Sequence, residues 1–208
     1  MQDRLDPRLK KLLVRLPLAA GLAILLWFTV LKDPWGGLVT GASEWWIRLA
    51  ERTKVTRLSF DAGLVVVERS DLSTRSDVPA FAAAPITANL VLLLALLLAT
   101  PPALRGSAFP ARAAVALAAL VVTQVLHLSF TVQTLYATRL GEWSAVSWPR
   151  WQREVVATGR YFFDIIGKYA TPFVFWAVTL KLFDEEEAAA KPGAAPARER
   201  RRKARRGA

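Results

Sequence analysis

Four long apolar blocks lie along the chain, separated by charged and mixed segments. They cover residues 16–31 (LPLAAGLAILLWFTVL), 82–100 (AAAPITANLVLLLALLLAT), 113–137 and 155–183. A helix needs roughly 20 largely apolar residues to cross the hydrocarbon core of a bilayer. A soluble chain would instead spread its apolar positions at helix or strand period. The blocks therefore predict an all-α membrane protein with four transmembrane helices. Pro101-Pro102 end the second block, because proline cannot continue a helix, and Pro172 is expected to bend the fourth.

The interval 32–81 is too long for a turn and carries its own structural signals. Residues 38–52 read as a short amphipathic helix that mixes Trp45, Trp46, Ile47 and Leu49 with Glu44, Arg48 and Glu51. Paired tryptophans suit a lipid headgroup zone, and packing on the next element explains them equally well. The segment VTRLSFDAGLVVVERS then alternates, turns at Asp61-Ala62-Gly63 and resumes as a β-branched run. It predicts a β-hairpin with strands at 55–60 and 64–69. A lone hairpin is marginal in water, so it needs a partner: the tryptophan helix, the membrane surface or another protein. Residues 70–80 read as an exposed loop. Trp45, Trp46, Leu64, Val66, Trp148 and Trp151 are the candidate partner or lipid contacts.

Charge sets the expected orientation. The net charge is +11, and the excess sits in the two tails. The segment before the first block, the turn between the second and third, and the tail from Lys181 hold 16 basic and 7 acidic residues. The opposite connections, 32–84 and 139–154, hold 10 basic and 9 acidic residues. The positive-inside rule then places both termini in the cytoplasm of a cell with a bacterial-type inner membrane. This placement explains the basic charge better than nucleic-acid binding, which is not expected. Thr40-Gly41-Ala42 is a weak cleavage site beyond Lys32 and Asp33, so the first block reads as an uncleaved anchor rather than a signal peptide. The expected organisation is a basic N-terminus at 1–15, a membrane domain at 16–183 with the extracytoplasmic insertion 32–81, and a disordered basic tail at 184–208.

Polar groups inside the blocks are the candidates for chemistry. Gln124, His127, Thr131, Thr134 and Thr138 fall on one helical face. Interhelical hydrogen bonding, with the threonines bonding back to their own helix, is the favoured reading. The sharper reading makes His127, the single histidine, a proton carrier or ligand. Arg160, Asp164 and Lys168 are spaced by four, so Asp164 is expected to bridge two cations. This ladder could lock the helix to the bundle, snorkel into the periplasm, or bind a charged partner segment. Asn89 opens the leucine run of the second block. Trp143, Trp148 and Trp151 mark the outer interface, and Trp176 lies nearer the inner one.

The chain has no cysteine, which excludes disulfides, thiolate metal sites and cysteine nucleophiles. It has no Walker loop, no dinucleotide-binding glycine pattern and no zinc-type ligand spacing, so no metal or other cofactor is expected. The order of basic start, span, aromatic amphipathic segment and hairpin, then LLLALLLATPP and SWPRWQREVVATGRYFFDIIGKYATPFVFW, resembles the exosortase H-associated membrane proteins. The closest local matches are Trp151-Gln152-Arg153-Glu154 and the Tyr161, Pro172, Trp176 pattern, followed by Asn89 with its leucine run. The resemblance implies a small multipass accessory protein that assists an exosortase-type sorting transpeptidase or its membrane-anchored substrates. Such enzymes resemble a Cys-Arg-His design, so a chain without cysteine is expected to be non-enzymatic. Two alternatives stay open. One is a small membrane enzyme or carrier using His127 with Arg160, Asp164 and Lys168. The other is a structural assembly factor with no sorting role.

Overall fold

A computed structural model of the chain describes residues 7–51, 55–70, 79–102 and 107–180. The expected disordered tail, residues 70–80 apart from their two ends, and the tip of the turn holding Arg105 lie outside the described residues.

The architecture is mostly helical with one small sheet. Helix α1 (Pro7–Leu26) passes through a π turn (Trp27–Leu31) directly into α2 (Lys32–Ala50). Lys10 to Ala50 is thus a 41-residue helix, so the separate short helix expected at 38–52 is instead the second half of the first one. The reason lies at Pro34, which has no N–H to give and whose ring crowds a regular α turn. The π turn comes immediately before it, and a widened turn absorbs the proline without ending the helix.

The hairpin forms as expected. Strand β1 (Thr56–Asp61) pairs antiparallel with β2 (Leu64–Arg69), and Asp61 faces Leu64 across the turn. Ala62 and Gly63 both take positive φ, 48° and 84°, the backbone that a two-residue turn between twisted strands requires. A third strand, β3 (Ala80–Ala82), pairs with the other edge of β2. This corrects the expectation that the second apolar block begins as helix at residue 82. An extended pair supplies backbone hydrogen bonds to this alanine segment until Pro85 opens the first turn of α3 (Ala84–Thr87).

Helix α4 (Asn89–Ala99) follows a break at Ala88, and α5 (Phe109–Thr138) is the longest regular α-helix. The connection at 139–154 is not a loop. It holds α6 (Glu142–Ser147), and α7 (Arg150–Phe162) starts five residues before the apolar block does. A second π turn (Phe163–Gly167) joins α7 to α8 (Lys168–Val178).

Two cores share α5 as a spine. One is an apolar layer built from Trp27, Leu90, Leu93, Leu97 and Leu120, continued by Leu12, Ala19 and Ala99. Here α1 packs on α4, and α4 packs on α8. The other joins the sheet to the helices through Val39, Ile47, Leu58, Val65, Val67, Leu128, Val132 and Tyr136. Val65 and Val67 point into it while Leu64 stays exposed, as strand alternation requires. Two helices, Lys10–Ala50 and Phe109–Thr138, are long and apolar enough to cross a membrane.

The sheet approaches α2 closely at one point. A Cβ added to Gly36 would lie 2.4 Å from the Phe60 ring, whereas one added to Gly37 meets nothing within 4 Å. Gly36→Ala should therefore lower stability by about 1–3 kcal/mol through overpacking. Gly37→Ala should be neutral or stabilising by up to about 1 kcal/mol, because alanine favours helix. Thermal unfolding of the two variants in one detergent checks the contrast, and equal midpoints would refute the close approach.

Candidate functional site

A polar group that joins several helices is Gln124, in the middle of α5 and fully buried. Its Oε1 accepts from Trp35 Nε1 of α2 at 2.7 Å. Its amide nitrogen donates to Asn89 Oδ1 at the start of α4 and, at 3.4 Å, to the Thr87 carbonyl. The break at Ala88 makes this possible. Thr87 lies at the end of α3, where the last carbonyls of a helix have no intrahelical donor. Three segments distant in sequence therefore meet at one carboxamide, at the boundary between the two cores. Trp35 packs against both of them.

One turn further along α5, His127 points to a different neighbour. Its Nε2 lies 2.9 Å from Asp164 Oδ1, and its ring stacks on Phe163 at 5.8 Å between centroids. No carboxylate stands near His127 in sequence, so only the folded chain supplies this one. Gly159 lets the helices come that close, because a Cβ there would sit 2.5 Å from the Phe130 ring of α5. Arg160 Nε reaches Asp164 Oδ2 at 3.4 Å. Lys168 does not complete the expected ladder: among the described residues it forms no ion pair, and its Nζ lies 5.2 Å from the Tyr169 ring centre. The π turn is the cause. It runs from Phe163 to Gly167, contains Asp164 and ends just before Lys168, so it changes the register on which an i,i+4 pair depends.

The expected polar face of α5 thus divides. Gln124 and His127 serve different helices. Thr131, Thr134 and Thr138 donate to the carbonyls of His127, Phe130 and Thr134 in their own helix, the bonding-back reading. Thr134 also reaches the Val156 carbonyl of α7 at 3.3 Å.

The sheet is held by contacts that periodicity did not reveal. Glu51 accepts from the Thr56 N–H and from its hydroxyl, and Glu44 accepts from the Leu58 N–H at 3.1 Å. These N–H groups point away from β2, so the two carboxylates of α2 cap the open edge of β1. Their spacing of seven residues, two helical turns, was the available signal. The Thr56 hydroxyl lies 2.9 Å from the Tyr136 hydroxyl. The Arg69 guanidinium sits between the rings of Tyr136 and Trp143, at 4.7 and 4.5 Å from their centres.

The tryptophan helix is the hairpin's partner, but it packs on the sheet through another face than Trp45 and Trp46. The sheet and α5 take the Gly36, Val39, Thr40, Ser43 and Ile47 face of α2, leaving Trp45 65% and Trp46 43% exposed. Beside Trp45 a shallow depression is lined by Gly41, Glu44, Arg48 and Leu49. Trp151 is exposed, Val66 is half-buried, and Trp148 lines a cavity of about 390 Å³ with Ile47, Glu51, Arg69 and Gln133. Trp176 donates to the Thr100 hydroxyl at 2.9 Å, which ties α8 to the end of α4. Among the described residues no three His, Asp or Glu side chains converge as metal ligands.

The chain matches no protein-family profile, no curated protein and no solved structure.

Gln124→Leu should cost about 2 kcal/mol, because it strands the Trp35 N–H and the Asn89 amide away from water. Gln124→Leu combined with Asn89→Leu should recover part of that loss. Chemical unfolding in a fixed detergent measures both, and an unchanged single variant would show that the carboxamide is not a keystone.

Proposed function

We propose that this chain is a non-enzymatic, four-span inner-membrane protein that carries a rigid docking domain on the outer face. The exposure of its apolar surface supports the membrane setting. Leu18 is 82% exposed, and Val14, Phe28 and Val30 of the first helix lie open beside it. A core helix of a soluble protein would bury these side chains. A removable leader would not continue unbroken into a helix that the sheet packs against. α3 with α4 is a shorter apolar helix, Ala84–Ala99, below the roughly 20 residues of a full span, and α8 reaches that length only as the end of the continuous run from α7 through the second π turn. The density of basic residues at the tails supports cytoplasmic termini.

One observation carries the functional reading. The sheet domain is fused to the apolar layer through α2, which continues α1, and through α5, which enters both cores. A domain mounted so stiffly holds the Trp45, Arg48 and Leu49 face of α2 at a fixed position relative to the helices. It suits an accessory subunit that positions a membrane partner, and it agrees with the implied role beside an exosortase-type transpeptidase or its anchored substrates. A photocrosslinker at Trp46 or Leu64 should capture such an enzyme co-expressed with the chain. Adducts with lipid alone would remove the accessory role. A thiol placed at Val66 should react with an impermeant maleimide from outside the cytoplasmic membrane, and labelling only from the cytoplasmic side would overturn the topology.

A second reading has its own support in the 2.9 Å contact between His127 and Asp164. It makes the chain a small membrane enzyme or carrier whose intramembrane pair moves a proton. Asp164→Asn and His127→Ala should then abolish proton flux into liposomes containing the protein. Under the accessory reading both variants leave flux at the level of empty liposomes and change only stability, with a coupling of about 0.6–2 kcal/mol in a double-mutant cycle.

A further inference from the structure

The charges along α7, its π turn and α8 do not balance. Glu154 stands near the start of α7, so Asp164 is the one carboxylate between Arg160 and Lys168, and it is already engaged by the Arg160 guanidinium and the His127 ring. Lys168 keeps one contact with the ring of its own neighbour, Tyr169. Among the described residues no other ion-pair partner reaches it. Helices α1, α4 and α5 contain no aspartate or glutamate. Asp33 stands in the first turn of α2 and Glu154 lies three to four turns before Lys168. On the same helix face a second copy would present the same Asp164, already engaged.

Lys168 is also open to a neighbour. It is half-buried, and Ile165, Ile166, Tyr169 and Phe173 around it are exposed. At a helix rise of about 1.5 Å per residue, Lys168 lies roughly 15 Å from the cytoplasmic end of α8 at Val178, inside a hydrocarbon core about 30 Å thick. A four-carbon stem cannot carry an ammonium from there to either surface without strain. An intramembrane cation usually meets a partner in protein, because hydrocarbon solvates it poorly.

We propose that the α8 face around Lys168 is an intramembrane docking site for a transmembrane helix of another protein that carries a carboxylate in its outer half. The proposal rests on the four-span reading. The Lys168 ammonium supplies the counter-charge, and the flanking Ile165, Tyr169 and Phe173 supply the apolar contact. The aromatic and β-branched side chains there are stiff, so a docking helix orders little new conformation.

The test uses the full chain in phosphatidylcholine nanodiscs. The probe is a synthetic Leu/Ala transmembrane peptide of roughly 23 residues with one Glu in its outer half, beside a twin carrying Gln. Energy transfer between labelled protein and peptide measures association. The Glu peptide should bind the native chain on the order of tenfold better than the Gln peptide, the scale of one interhelical polar contact in lipid. Lys168→Met should erase that preference, and Lys168→Arg, which keeps the cation, should retain it. Equal binding of the two peptides to the native chain overturns the proposal. So does a preference that survives in Lys168→Met. Loss of the preference when phosphatidylglycerol is included assigns Lys168 to lipid phosphate, and stronger transfer between two labelled copies than to the peptide assigns the face to self-association; either result overturns the proposal. A thiol at Phe173 separates the two levels. If aqueous maleimide labels it in the nanodisc, the membrane reading falls and the docking site with it; if it is protected while the peptides bind equally, the docking site alone falls.

Discussion

A buried carboxamide has to satisfy its hydrogen bonds inside the protein, and in this chain that requirement falls on Gln124. Each unmet donor or acceptor away from water costs on the order of 1–3 kcal/mol. Gln124 meets the cost by drawing in Trp35 from α2, Asn89 from α4 and the Thr87 carbonyl from the break between α3 and α4. Apolar packing alone would let these helices slide or rotate, because leucine contacts are non-directional. Hydrogen bonds with fixed directions set one register. The apolar layer below and the sheet domain above inherit their relative position from that level of α5.

The two π turns extend the same logic. Each lies where a regular α helix would put a group in the wrong place. The first accommodates Pro34 and keeps α1 and α2 in one piece. The second lies at Asp164, which faces His127, and it takes Lys168 out of the ladder. An inserted residue changes every side-chain direction beyond it, so a small backbone change redistributes charge between the interior and the surface. Burial of His127 against Asp164 and the half-exposure of Lys168 are two results of one irregular turn.

The sheet domain depends on the helices more than on its own strands. Three short strands give little independent stability. Glu44 and Glu51 close one edge, and Arg69 clamps the end of β2 between two rings from α5 and α6. Protection of β1 leaves the α2 face with Trp45, Arg48 and Leu49 as the open surface of this region. On the accessory reading, that is the surface available to a partner in solution, and the α8 face is the one available in the bilayer.

Helix content, the hairpin with its Asp61-Ala62-Gly63 turn, and the threonine bonding pattern of α5 were legible in the chain because each depends on residues within a few positions of one another. The apolar blocks and charged flanks were legible for the same reason, since solvent preference is a property of local composition. The continuity of α1 with α2, strand β3 and the early start of α7 were not, because each is decided by a neighbour far along the chain. Residues 80–82 become a strand only where β2 offers an edge, and the polar groups acquire partners only when helices 35 or more residues apart meet, as Gln124 meets Asn89 and His127 meets Asp164. The sequence by itself determined which stretches avoid water and which local turns form; tertiary packing decided which polar groups pair, because hydrogen bonds and ion pairs act over a few ångströms and depend on an approach that local pattern does not encode.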